Sequence, residues 1–237
     1  MTAAPRTLLA AALLTLSACA STGNVAPTVQ IFDEDLRRAF ENFERTMSEP
    51  RSPLALGSGA TISTCRDYLQ HSARLNRGGP DQMLALQEYV VCDSVELLRR
   101  AQPAPEIHSD AGAAIATRLD FRTFRSSRGP RTSDEAFSFQ ALVDEPLVIG
   151  PNAAMLDSDD WYLRIERVAA ADFDRNGRED WLVWIGDESH VGTYQTFHAL
   201  LIHNVTATGR MAGSPVPCRI GRNGSCESGP VESLRDE

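Results

Sequence analysis

Asp172, Asp174, Asn176 and Asp180 are residues whose types and spacing could do chemistry. In the stretch DFDRNGRED they hold places one, three, five and nine, with Gly177 at six and Arg178 at seven. A hard cation such as Ca²⁺ takes six to eight oxygens at short range. Alternate residues of a tightly curled loop can all turn inward, so places one, three and five can meet on one ion. Glycine at place six permits the positive-φ turn that brings the chain round. At place seven the backbone carbonyl of Arg178 serves, whatever its side chain, and Asp180 closes the far side. The competing reading is a metal-free turn, because Asp and Asn favour turns by bonding their own backbone. Against it, three carboxylates packed around one glycine repel one another without a cation.

The pattern resembles the D-x-D-x-[DN]-G-x-x-D calcium loop of integrin-type FG-GAP repeats, dockerins and EF-hands. The resemblance spans nine residues, so it implies a loop and not a fold. Place twelve is Val183, where an EF-hand carries a bidentate Glu. The flanks also read as strand. The nearer likeness is therefore the FG-GAP type, which implies Ca²⁺ as the cofactor, a strand directly after the loop, and Asp180 in the closing role.

Catalytic arrangements are harder to find. His198 and His203 are five apart in a strand-like stretch, which puts them on opposite sides and argues against a metal pair. Asp187-Glu188-Ser189-His190 has the right residue types for a triad, but such groups are assembled in space and not along the chain. No nucleophile elbow, phosphate loop or H-E-x-x-H motif occurs.

The elements that must position the loop divide the chain in two. Leu36, Phe40, Phe43 and Met47 recur on one helical face after acidic Asp33, Glu34 and Asp35. Further helices are expected over 81–101 and 110–124, the last with Ser109 as N-cap. A Pro- and Gly-containing linker fills 48–61. From 137 the texture becomes strand: 137–139, 147–149, 161–168 and 194–203. The run Trp181–Ile185 is continuously apolar, as in a strand covered on both faces. The expected fold is therefore α+β, with a helical N-terminal half packed on a small antiparallel sheet that carries the calcium-type loop in a hairpin. The expected organisation is a leader over 1–18, a tether over 19–32, and one domain over 33–210. That domain is mainly helical over 33–136 and mainly strand over 137–210, and an irregular tail follows over 211–237.

The leader has one basic residue, Arg6, then an apolar run over 8–16 that is too short for a mature membrane span. It ends in Leu16-Ser17-Ala18-Cys19, which resembles the lipobox of bacterial lipoproteins. That resemblance implies cleavage before Cys19, acylation of its thiol and amine, and, with Ala20 following, delivery to the outer membrane facing the periplasm. Cys65, Cys92, Cys218 and Cys226 remain. An even count in an oxidising compartment points to two disulfides. Of three connectivities, sequence proximity favours Cys65–Cys92 and Cys218–Cys226. The net charge of −9 lacks the basic balance of a nucleic-acid binder. The expected function is a lipid-anchored, non-enzymatic module that serves binding of an envelope protein or envelope structure. The alternative is an envelope hydrolase or hydrolase inhibitor.

Overall fold

The computed structural model describes residues 29–72, 87–128 and 132–216, with the backbone of 219–220 and 226–227. The lipobox with Cys19 lies outside the described residues, as does the Cys218–Cys226 pair.

Short elements dominate the first half. Strand β1 (Gln30–Ile31) leads into helix α1 (Glu34–Glu41), whose N-cap Asp33 accepts the Leu36 N–H at 2.7 Å. Helix α2 (Phe43–Ser48) follows, then a hairpin of β2 (Leu54–Ala55) and β3 (Thr61–Ile62). Helices α3 (Cys65–His71) and α4 (Val90–Arg100) are joined by the disulfide Cys65–Cys92, at a Cα separation of 5.2 Å. A bridge closing 27 residues stabilises by about 3.5 kcal/mol in the chain-entropy account. It crosses a satellite core of Met47, Leu54, Ile62, Tyr68 and Tyr89. Helix α5 (Ala111–Arg118) ends in strand β4 (Leu119–Asp120), and α6 (Phe139–Leu142) precedes β5 (Val148–Ile149).

The rest is sheet: β6 (Ala153–Asp157), β7 (Trp161–Ala171), β8 (Asp180–Ser189), β9 (Gln195–Ile202) and β10 (Met211–Val216). The strand order is β4-β10-β9-β8-β7-β6-β5. A short pair, β11 (Arg219–Ile220) with β12 (Cys226–Glu227), stands apart. Strand β7 changes neighbours partway. Glu166 pairs with Ala153 of β6, but past the bulge at Arg167–Val168 the partners are Ile31 and Gln30 of β1. The Val168 carbonyl there accepts the N–H groups of Phe32 and Asp33.

This architecture corrects the expected fold class. The molecule is not a helical half laid on a small antiparallel sheet. Its centre is a curled, half-barrel sheet that is mixed, because β4 runs parallel to β10. Helices pack on both faces of it. On one face Trp181, Val183, Ile185, Leu200 and Ile202 meet Ile115 of α5 and Phe121 and Phe139. On the other, Leu182, Ala199 and Leu201 meet Leu36 of α1 and Val95 and Leu98 of α4. A helical period is visible locally, but the pairing that widens a sheet is long-range, so periodicity overstated the helices. Residues 119–124 end α5 as strand and 3₁₀ turn, and Phe139 opens a helix where a strand was expected. The tail expected to be irregular from 211 opens with β10. Gly213 and Pro215 disguised that strand. Pro215 pairs with Leu200 on one side, and β4 has ended by Ala212 on the other. A proline without an N–H is tolerated at such an edge.

Candidate metal centre

The 172–180 loop joins β7 to β8, the two central strands, which pair from Trp161↔Ser189 to Ala171↔Asp180. It is a long hairpin connection, as the sequence indicates. Its apolar flanks are buried because β8 has a core on each face. Gly177 sits at φ 81°, the left-handed turn required at place six, and Arg175 also has positive φ, at 62°.

Asp172 is buried and its carboxylate staples the loop. One oxygen accepts the Asn176 N–H at 3.0 Å and the other the Gly177 N–H at 2.8 Å. Its backbone exchanges two hydrogen bonds with Gln102, fastening the loop beside α4. Asn176 donates from Nδ2 to Asp174 Oδ2 at 2.9 Å and to Asn204 Oδ1 at 2.8 Å, and its own Oδ1 accepts the Arg178 N–H. Arg175 donates to the Arg100 carbonyl at the end of α4. Asp180 is fully buried. Its Oδ2 accepts the Phe173 N–H at 2.8 Å, and its Oδ1 the Asn204 N–H at 2.8 Å.

The structure brings Asp174 and Asp180 together and adds a residue that sequence reasoning set aside. His203 lies just past β9, with Nδ1 3.4 Å from Asp180 Oδ2 and 3.8 Å from Asp174 Oδ2. One ligand atom from each of the three falls within 4.8 Å of the others. Both His203 ring nitrogens are shut off from solvent, and among the described residues neither makes a hydrogen bond of ordinary geometry. Burial raises the Asp174 pKa, and the charge of Asp180 raises it further. For His203 burial opposes the charged ring, but the closeness and charge of Asp180, with Asp174, outweigh it and the pKa rises. Burial and the two crowded carboxylates set both shifts, and the His203 ring partly offsets the rise at Asp174. His203 was legible only through strand pairing. Trp181 pairs with Ile202, so one step further along the ladder sets Asp180 opposite His203.

Beneath the loop, Glu179 and Arg167 are buried at 2% and 4% side-chain exposure, 3.6 Å apart. Glu179 accepts from Trp181 Nε1 at 2.6 Å and from the His108 N–H at 2.9 Å, with His108 Nδ1 also in contact. Arg167 donates to the His108 carbonyl at 2.7 Å and to Asn152 Oδ1. Its guanidinium lies between the rings of Phe32 and Trp181. This network ties the β8 end of the loop to the segments before α5 and β6.

The stretch 187–190 is dispersed. Buried Asp187 accepts from Ser127 N–H and Trp161 Nε1, both at 2.7 Å, while His190 stacks near Tyr162. Glu188 faces an open groove of about 340 Å³ with Tyr162, Trp184 and Phe197, where Arg164 and Glu166 pair with each other at 2.7 Å. His198, on the opposite face beside Phe124, has its pKa pushed down to about 4, by burial. The folded protein therefore holds it neutral where the unfolded chain would protonate it. Stability from this group is complete above pH 6.5 and is lost as pH falls towards 4. At pH 5 the loss is about 2 kcal/mol. Urea unfolding of His198→Gln at pH 7 and pH 5 should show a correspondingly smaller acid penalty than the parent.

No protein-family model, curated protein or solved structure matches this chain.

Proposed function

We propose that this protein is a lipid-anchored periplasmic, non-enzymatic module whose 172–180 hairpin is held in shape by a bound divalent cation, with calcium the ion its oxygen spacing fits. The observation that carries the reading is the meeting of Asp174 and buried Asp180 at one point, where burial and mutual repulsion already raise the Asp174 pKa. A cation bound by the folded state and not by the unfolded chain must stabilise the fold. The gain is about 2.7 kcal/mol at a hundred times the dissociation constant. With an affinity of ~10⁻⁴ to 10⁻³ M, as in extracellular modules, thermal melting of the purified full-length protein should shift upward by about 5–10 °C between chelator and saturating calcium. Magnesium should do much less, because it holds its water and prefers a tighter octahedron. Identical melting in both conditions returns the loop to a plain turn.

Anchoring rests on the Leu16–Cys19 lipobox. Labelling cells with a radioactive fatty acid should mark the parent and not Cys19→Ser, whose hydroxyl cannot replace the thiol as acyl acceptor. Label on the variant removes the anchor from the proposal.

A further inference from the structure

The hairpin's donor set is not all oxygen. Calcium-type loops recruit carboxylates, amides, carbonyls and water, whereas imidazole suits zinc and its first-row neighbours. Here an imidazole arrives from a different hairpin. His203 follows β9, twenty-three positions after Asp180, and its ring enters the space between Asp174 and Asp180. Both ring nitrogens are closed to water, and among the described residues neither makes a hydrogen bond of ordinary geometry; the nearest oxygens belong to Asp180 and Asp174. A metal–nitrogen bond would give the buried Nδ1 the directed partner that it lacks. The spacing also fits. Ligand atoms around a tetrahedral ion at about 2.1 Å stand about 3.4 Å apart, against the observed 3.4 and 3.8 Å from Nδ1 to the two carboxylate oxygens.

We propose that Asp174, Asp180 and His203 form a three-ligand site for a zinc-class ion, which occupies the hairpin in preference to calcium. The inference rests on the reading of the hairpin as a divalent-cation site and names the ion that site selects. Asp172 and Asn176 then act as loop staples through the hydrogen bonds they already make. Water would complete the coordination of a three-ligand zinc.

The test is titration of the purified, metal-stripped full-length protein with zinc, and separately with calcium, by calorimetry. Parent, His203→Gln and Asp174→Asn are compared, with circular dichroism to confirm folding. The expected result is one zinc bound, displacing calcium, with zinc affinity falling about 100-fold in His203→Gln and calcium affinity nearly unchanged there. Asp174→Asn should weaken both ions, and it serves as the working variant if His203→Gln does not fold. Zinc bound equally by the parent and His203→Gln would place the metal elsewhere and overturn the assignment. Calcium bound without zinc would overturn it too, while leaving the hairpin reading intact. Binding of neither ion would end both.

Discussion

Asp180→Ala is expected to destabilise the protein by about 3–5 kcal/mol in the presence of chelator, before any cation is considered. The Asp180 carboxylate is fully buried and accepts the N–H groups of Phe173, Asp174 and Asn204. Truncation leaves these donors without partners, and each buried orphan costs about 1–3 kcal/mol. Asp174→Ala should behave differently. It loses the Asn176 contacts, but it also removes a carboxylate whose pKa is raised by burial and by Asp180. In chelator the change should stay within about 1 kcal/mol, the ordinary range for a replacement without a buried orphan. With saturating cation, Asp174→Ala should forfeit most of the linked gain. Urea unfolding of both variants, with and without calcium or zinc, separates the roles. If Asp180→Ala were as stable as the parent in chelator, Asp180 would be a free ligand and not the pin that closes the loop.

Arg167→Met should cost about 3–5 kcal/mol, the usual penalty for leaving half of a buried ion pair behind. The guanidinium joins three parts of the fold. It bonds the His108 carbonyl before α5 and Asn152 before β6, and it stacks on Phe32 after β1. Removing it strands Glu179, which keeps the Trp181 Nε1 and His108 N–H donors and the His108 Nδ1 contact. Adding Glu179→Gln removes the orphaned charge, so the double variant should recover at least half of the loss. A double-mutant cycle by urea unfolding measures the coupling. Additive single effects would show that the 3.6 Å pair carries no interaction and that Arg167 acts through its hydrogen bonds alone.

Local physics made some of the molecule legible in the sequence. The position of the loop between two strands follows from strand texture on either side of a polar, glycine-bearing stretch, because turn chemistry and strand patterning both act over a few residues. Trp181–Ile185 reads as doubly covered because an unbroken apolar run has no face to spare for water, and clusters on both sides of β8 cover it. Cys65–Cys92 follows from proximity and count. The sheet's width and mixed sense were decided elsewhere. The parallel β4–β10 pairing joins residues about ninety apart, and no window of sequence contains both. The change of β7 partner from β6 to β1 falls at a bulge at Arg167–Val168 that the alternating pattern does not announce. The site divides along the same line. Asp172, Asp174, Asn176 and Asp180 are close in the chain, so their spacing reveals them. His203 joins them only because antiparallel register carries the end of β9 back to the start of β8. The sequence alone therefore determines an oxygen-rich loop, and the tertiary pairing decides that an imidazole stands in it.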